Sequence, residues 1–234
     1  MAHASRHIVA IGGGGFGRPG GYFRIEDYVL RLTGKPRPKV CFLATASGDS
    51  PDYLLKYYSA FAAGRAEASH LPLFGAPRTD LREFLLAQDA IYVGGGNTAN
   101  MLAVWRVHKI DQFLREAYVR GVILAGWSAG MICWFEAGVT DSFGPLAPLR
   151  DGLGFLAGSA CPHFDGEAQR RPTYHRLVEE GFPAGVAADD NAALHFLDEK
   201  LHRCVAATET AGCYRVERGP HGVTEARLPT EQLP

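Results

Sequence analysis

The stretch Val122-Ile123-Leu124-Ala125-Gly126-Trp127-Ser128-Ala129-Gly130 carries the strongest structural signal in this chain. Its first four residues are apolar and predict a buried strand, while residues 126–130 match the pattern G-x-S-x-G. A helix-compatible segment, residues 131–135, follows directly. In a nucleophile elbow the serine occupies a strained turn between a strand and a helix, and the flanking glycines leave room for backbone and substrate. The pattern predicts a reactive Ser128, although a glycine-flanked serine also serves as an ordinary helix N-cap.

Short apolar runs alternate with longer amphipathic segments through the first two thirds of the chain. This alternation predicts a parallel sheet covered by helices on both faces, in one domain spanning residues 1–234. The later strands are separated by short polar turns, so we expect them to add to the sheet edge in antiparallel fashion. The predicted strands are residues 7–11, 40–44, 70–74, 90–93, 122–125, 185–187, 193–197, 202–206 and 212–217, and the predicted helices are residues 22–32, 52–63, 80–87, 98–105, 109–120 and 129–135.

Composition narrows the range of partners and compartments. A chain of 234 residues, 47% of them hydrophobic, can bury a large core. The net charge of −1, without long charged runs, predicts neither a nucleic-acid nor a membrane partner. The five cysteines include no C-x-x-C pair, which indicates reduced, mostly buried thiols and no zinc site. We therefore expect a cytoplasmic protein without a metal or another cofactor, and leave open whether it forms a homodimer.

Two glycine clusters follow predicted strands. The first glycine cluster, residues 12–17, contains G-x-G-x-x-G, but Pro19 interrupts the expected helix and no acidic residue ends the second strand. A dinucleotide site is therefore disfavoured, and we interpret the cluster as a loop at the sheet edge where α/β proteins bind ligands. The second glycine cluster, residues 94–96, precedes Asn97 and Thr98, either of which can cap a helix. Its exposed backbone N–H groups fit an oxyanion hole beside Ser128.

A reactive serine needs a base, and His163 is the best placed of the nine histidines. It follows Pro162 at the end of a short extended segment, in the layer of loops where a base must lie. A carboxylate should orient its imidazole. The sequence leaves several candidates open: Asp165, Asp189 and Asp190 downstream of the histidine, and Glu136 and Asp141 between the serine and the histidine.

Three motifs together resemble a known family. Val-Gly-Gly-Gly-Asn-Thr at residues 93–98, Gly-Trp-Ser-Ala-Gly at 126–130 and Pro-His-Phe at 162–164 are similar in order and spacing to peptidase E, the S51 serine peptidases, with cyanophycinase more distant. The resemblance covers roughly residues 7–217. It implies a three-layer α/β/α sandwich with a mostly parallel sheet, flavodoxin-like or class I glutamine-amidotransferase-like.

The resemblance also assigns roles to residues. It implies that Ser128 is the nucleophile and His163 the base, with oxyanion N–H groups from Gly95 and Ala129. The third position, glutamate in the best-known members, matches Asp190 best, with Asp189 and Asp141 as alternatives. This chain therefore has aspartate where the family has glutamate. A shorter carboxylate can still hold the imidazole if the backbone lies closer.

Peptidase E cleaves dipeptides that begin with aspartate, and the resemblance implies a cation for the substrate carboxylate. Arg170 or Arg171 can supply it, unless both are simply solvated at a helix start. Asn97 completes the expected substrate-binding set. Residues after Gly222 are few, so we expect any C-terminal hairpin extension to be short or absent, and Asp-X hydrolysis to be weak.

Three function classes follow. The leading one is a serine peptidase that hydrolyses short peptides through an acyl-enzyme. The alternative is a peptide-binding or small-molecule-binding protein on the same scaffold with little or no dipeptidase activity. An amidotransferase is disfavoured because its elbow carries cysteine, and an α/β-hydrolase is disfavoured because its carboxylate precedes its histidine.

Overall fold

The computed structural model describes residues 5–17, 23–61, 64–75 and 78–234. Parts of the first two predicted helices, at residue 22 and residues 62–63, lie outside this range, as does Pro19. The strands are β1 (His7–Ile11), β2 (Lys39–Leu43), β3 (Glu67–His70), β4 (Ala90–Val93), β5 (Ile123–Trp127), β6 (Phe135–Thr140), β7 (Ala147–Leu149), β8 (Leu156–Cys161), β9 (Gly185–Ala188), β10 (Ala192–Leu197), β11 (Lys200–Ala206), β12 (Cys213–Gly219), β13 (Gly222–Leu228) and β14 (Thr230–Gln232). The α-helices are α1 (Arg24–Leu32), α2 (Pro51–Phe61), α3 (Leu81–Leu86), α4 (Thr98–His108), α5 (Ile110–Val119), α6 (Ala129–Ile132) and α7 (Arg170–Glu179).

The first sheet has eight strands in the order β14-β11-β10-β1-β5-β4-β2-β3. Its strands from β1 to β3 run parallel, whereas β10 pairs antiparallel with β1, and β11 antiparallel with β10. Successive residues of β2 pack on opposite faces: Cys41 joins the core with α3, α4 and α5, and Phe42 the core with α1 and α2. Burial on both faces explains the continuous apolar runs of these strands. The predicted α/β/α sandwich and the antiparallel addition of β10 and β11 are confirmed.

A second, six-stranded sheet departs from the prediction. Its order is β13-β12-β9-β8-β6-β7. The sequence had assigned β9 and β12 to the edge of a single sheet, but they join β6 and β8 instead. One face of this sheet packs against α7, and its other face contributes Phe135, Leu156 and Val186 to the main core. Strands β9 and β12 each bury apolar residues on both faces of this second sheet, since Val186 and Cys213 pack in the main core and Ala187 and Val216 pack with α7.

Three local predictions are wrong, those for residues 70–74, for residues 129–135 and for the C-terminal residues. The helix expected over residues 129–135 ends at Ile132, and Phe135 begins β6. A longer helix would carry Phe135 away from the core that buries it. A C-terminal hairpin, expected to be short or absent, is present. Strands β12 and β13 pair from Cys213↔Leu228 to Gly219↔Gly222, and β14 pairs with β11. The predicted strand 70–74 lies earlier, at Glu67–His70.

Helix length and hydropathy bear on one further expectation. In the described part of the chain, no helix is both long and apolar enough to cross a lipid bilayer.

Candidate active site

Ser128 occupies a strained turn between β5 and α6. Its backbone torsions are φ 56° and ψ −112°, a region that residues with a side chain rarely adopt. A Cβ on Gly126 would lie 2.8 Å from the carbonyl oxygens of Gly130 and Val93, so the turn packs tightly against the end of β4. The Ser128 N–H donates to the Ile11 carbonyl over 3.2 Å. The side chain is partly exposed. Strained geometry with an accessible hydroxyl is typical of a nucleophile elbow.

The second glycine cluster lies against this turn. A Cβ on Gly95 would be 2.9 Å from the Trp127 indole nitrogen and 3.3 Å from the Ser128 Cβ. Asn97 caps α4 by accepting from the Asn100 N–H over 2.9 Å, and its amide nitrogen donates to the Ser142 carbonyl. The backbone of Gly95 is therefore close to Ser128. The Asn97 side chain, by contrast, already joins the helix cap to the loop after β6.

His163 and Asp190 face each other across the loops that follow β8 and β9. The His163 Nδ1 atom lies 2.7 Å from the Asp190 Oδ1 atom. Both side chains are largely buried, with 14% and 7% exposed, respectively. His163 has a positive φ of 53°, and its N–H donates to the Gly12 carbonyl over 3.3 Å. The hydrogen bond between His163 and Asp190 is the contact expected between a catalytic imidazole and the carboxylate that orients it.

The first glycine cluster connects these residues, and sequence reasoning had missed this role. Gly13 forms a parallel bridge with Asp190, and its carbonyl accepts from the Asn191 N–H over 2.8 Å. The Ser128 N–H donates to the Ile11 carbonyl and the His163 N–H to the Gly12 carbonyl, so the end of β1 and the residues after it contact all three candidate residues through the backbone. The signal was present, because glycines at the carboxyl end of a parallel strand permit close approach of other chains.

The other carboxylates have different partners. Asp189 accepts from the Gly212 N–H over 2.9 Å and from the Tyr214 hydroxyl over 3.1 Å, and burial together with the nearby Asp165 raises its pKa. Asp165 accepts from the backbone N–H of Asp190 over 2.8 Å.

The two acidic residues between serine and histidine lie elsewhere. Asp141 is 60% exposed and 3.9 Å from Arg170, while Glu136 is exposed and accepts from the Gly158 N–H over 2.9 Å. Among the acidic candidates it is thus the Asp190 side chain that the structure pairs with His163.

The two arginines differ sharply in environment. Arg170 is only 2% exposed and donates to Glu167 and to the Val139 carbonyl over 2.7 and 2.8 Å. Arg171 is 43% exposed, and its guanidinium carbon lies 4.5 Å from the centre of the Phe164 ring and 4.9 Å from that of Tyr214. Of the two arginines, Arg171 is therefore the one accessible to solvent, and it lies over the ring of the residue that follows His163.

The cysteines nearest in sequence to Ser128 and His163 are poor alternative nucleophiles. All five are buried and free of disulfides, as predicted. Burial raises the pKa of Cys133 well above its usual value and that of Cys161 to about 12, so both thiols stay protonated near neutral pH. Within the described ranges, no group of three or more His, Cys, Asp and Glu residues could hold a metal ion.

Comparisons with known proteins identify the family of this chain. The family model for peptidase family S51 matches residues 8–204. The chain is 48% identical over 229 residues to the uncharacterized peptidase YgaJ of Bacillus subtilis (strain 168), covering 97% of this chain and 99% of that relative.

Two solved structures share the fold. The crystal structure of a peptidase from an acI-B1 Actinobacterium superposes with a TM-score of 0.71 at 16% identity, covering 98% of this chain and 96% of its own. A putative peptidase E protein from Listeria monocytogenes EGD-e gives a TM-score of 0.60 at 18% identity, covering 97% and 100%. At these identities the likeness concerns the fold. The family match and the close relative show that the chain belongs to peptidase family S51 and is a serine-type peptidase.

Proposed function

We propose that this peptidase hydrolyses short peptides through an acyl-enzyme, with Ser128 as nucleophile, His163 as general base and Asp190 as the carboxylate that orients it. The observation that carries the proposal is the 2.7 Å hydrogen bond between His163 Nδ1 and Asp190 Oδ1, in a loop that contacts the end of β1 next to the residue bonded to the strained Ser128 turn. When Nδ1 carries the proton and donates to a carboxylate, Nε2 is left unprotonated. That nitrogen can then accept the serine proton.

The reaction follows from these roles. His163 Nε2 takes the proton of the Ser128 hydroxyl as the oxygen attacks the scissile carbonyl carbon. The tetrahedral intermediate collapses, the C–N bond breaks, and the imidazolium gives its proton to the leaving amine. Water, deprotonated by the same imidazole, then attacks the carbonyl carbon of the acyl-enzyme. The bond from this carbon to Ser128 Oγ breaks, the imidazolium returns its proton to Oγ, and the acid is released. Asp190 stays ionised throughout and stabilises the imidazolium.

The N–H groups of Gly95 and Ala129 are the proposed donors to the oxyanion. Gly95 is supported by its proximity to Ser128, and Ala129 by its place as the first residue of α6. Because α6 is only four residues long, its aligned peptide dipoles are few. We therefore attribute oxyanion stabilisation to the two local N–H groups, each worth roughly 10²–10³-fold in rate in comparable enzymes.

Substrate selection depends on Arg171 more than on Arg170. The Arg170 guanidinium is buried and bonded to the protein, so it has little capacity for a substrate. Arg171 is accessible, but Glu225 of β13 lies 3.6 Å from it. A substrate carboxylate would have to compete with that internal anion. We therefore propose that Asp-X dipeptides are hydrolysed weakly. The reason is competition from Glu225 for Arg171, and not a shortened C-terminus.

Labelling with a fluorophosphonate tests the nucleophile. We expect the wild type to be labelled at Ser128, and Ser128→Ala to lose labelling and peptide turnover, a loss on the order of 10⁶-fold when a catalytic serine is removed. Ser5→Ala, at an exposed serine, is the matched control and should label normally. An unlabelled wild type would instead favour a binding protein on this scaffold.

A dipeptide panel tests the substrate. We expect Asp-Leu to turn over below about 1 per second, under the usual range of enzymes. Glu225→Gln should raise turnover of Asp-Leu relative to Ala-Leu, because it removes the competing anion. Rapid Asp-Leu hydrolysis by the wild type would contradict the role given to Glu225.

A further inference from the structure

Asp165 lies two residues after His163 and holds the backbone of Asp190. Its Oδ1 atom accepts from the Asp190 N–H over 2.8 Å, while the Asp190 side chain bonds to His163. One short loop therefore supplies both the His163 imidazole and the Asp165 carboxylate, which accepts a hydrogen bond from the backbone of Asp190. The two loops after β8 and β9 are joined twice, once through a side chain and once through a backbone N–H.

Space around the Asp190 carboxylate is very limited. A Cβ on Gly13 would overlap with Asp190 Oδ1, and a Cβ on Gly166 would lie 2.5 Å from its Oδ2 atom. Glycine backbones therefore enclose the carboxylate from two directions, and His163 occupies another. Within such an enclosure, a small displacement of the Asp190 backbone moves the carboxylate away from the imidazole. The bond lengths leave little tolerance, since hydrogen bonds weaken steeply with poor geometry.

The Asp190 backbone is held from two sides. On one side lies Gly13, through the parallel bridge and the bond from the Asn191 N–H to the Gly13 carbonyl. On the other side lies the Asp165 carboxylate. The 2.8 Å distance from the Asp190 N–H to the Asp165 Oδ1 atom is typical of a well-formed hydrogen bond, so an acceptor oxygen at this position fixes the Asp190 backbone.

We propose that Asp165 is a positioning residue, which sets the place of the Asp190 carboxylate and, through it, the orientation of the His163 imidazole. The effect of Asp165 on the reaction rate rests on the proposed function, whereas its effect on the position of Asp190 does not. Asp165 is exposed and bonds to a peptide group, so it acts through Asp190 and does not itself touch the imidazole in this role. The bond from Asp190 to Asp165 also explains how a carboxylate as short as that of Asp190 reaches His163. It holds the Asp190 backbone close to the loop that carries the histidine.

Substitutions at position 165 separate the hydrogen bond from the charge. Asp165→Asn keeps an acceptor oxygen at the same distance and loses the charge, whereas Asp165→Glu keeps the charge and displaces the oxygen by one methylene. We expect Asp165→Ala and Asp165→Glu to slow fluorophosphonate labelling of Ser128 by roughly 10- to 100-fold, the scale of a 1 Å misplacement. Asp165→Asn should stay within about threefold of the wild type. Asp151→Ala, at an exposed aspartate bonded to Arg106, is the control and should not change the rate.

A proton NMR measurement reads the same geometry without any turnover. In ¹⁵N-histidine-labelled protein, the His163 Nδ1–H proton should give a downfield signal that disappears in Asp190→Ala. We expect Asp165→Ala and Asp165→Glu to shift or broaden it, and Asp165→Asn to preserve it. An unmoved signal in the first two, or equal loss in all three, would overturn the proposal. If the wild type shows the NMR signal but is not labelled, the proposed function is refuted. The role of Asp165 is then decided by whether Asp165→Ala and Asp165→Glu move the signal.

Discussion

The two glycine clusters look alike in sequence but serve the site differently. In the second cluster, Gly95 approaches the nucleophile turn at Ser128 and Trp127, while Gly94 and Gly96 pack against residues 42–47. In the first cluster, Gly13 approaches the other two candidate residues, His163 and Asp190. The lesson is that a glycine run indicates close approach, while the identity of the approaching chain is a tertiary property. The consequences of adding a methyl group should differ accordingly.

Among substitutions in the two glycine clusters, the largest expected effect is that of Gly13→Ala. Its Cβ would overlap with Asp190 Oδ1 and lie 2.6 Å from His163 Nδ1, so the hydrogen bond between them cannot persist unchanged. We expect labelling of Ser128 to slow by on the order of 10³-fold or more, in line with the loss of a correctly held triad carboxylate. Gly75→Ala, where a Cβ meets open space among the described residues, should label like the wild type. Equal rates in the two variants would break the comparison.

A smaller effect is expected for Gly95→Ala. The new Cβ would meet the side chain of Trp127 and the Cβ of Ser128, not a backbone atom. Trp127 stacks on Phe42 and meets Phe16 edge to face, so it can yield only partly. We expect labelling to slow by about 10- to 100-fold through a displaced oxyanion donor. The labelling rate, with unchanged circular dichroism, measures this, and a loss exceeding that of Gly13→Ala would reverse the proposed ranking.

The smallest effect concerns pH, and it should be specific to the first cluster. The buried Glu26 accepts from the Phe16 N–H over 3.1 Å, and burial raises its pKa to about 7. Between its ordinary pKa near 4.5 and about 7, the folded protein keeps a proton that the unfolded chain has released. The folded state binds more protons in this window, so stability falls as pH rises through it.

Glu26→Gln should therefore flatten this pH dependence. From pH 4.5 to 7, the free energy of unfolding of the wild type should fall by about 1–2 kcal/mol more than that of the variant, less than the full linkage value because the buried site relaxes. Urea unfolding at a series of pH values measures it. Glu179→Gln, at an exposed residue of α7, should follow the wild type. Parallel curves for wild type and Glu26→Gln would remove Glu26 as the titrating group.

The sequence predicted the first sheet better than the second. Strands β1, β2, β4 and β5 are continuous apolar runs because helices cover both of their faces. Strands β6 and β8 contain Glu136, Gly138, Gly158 and Ser159, so their patterns are broken, and residues 129–135 looked helical. Their pairing depends on partners far along the chain, which local periodicity does not reveal.

For the candidate site the division is similar. The turn at Ser128 was predictable because strand, glycines and serine are contiguous and the strain is local. The resemblance, not the local pattern, singled out Asp190 among neighbouring acidic residues. Nothing in the local sequence distinguished Arg170 from Arg171, because their difference depends on tertiary contacts. The guanidinium of Arg170 is buried against the Val139 carbonyl, and that of Arg171 lies over aromatic rings.

By itself, the sequence determined an α/β chain with a serine at a strand-to-helix turn and buried, reduced cysteines, because these features depend on residues adjacent in the chain. Only the tertiary structure decided that the end of β1 and the first glycine cluster contact the backbones of Ser128, His163 and Asp190. It also decided that Asp165 grips the Asp190 backbone and that Glu225 lies beside Arg171. These contacts join residues 25 to more than 100 positions apart, and packing of two sheets, not local preference, brings them within hydrogen-bonding distance.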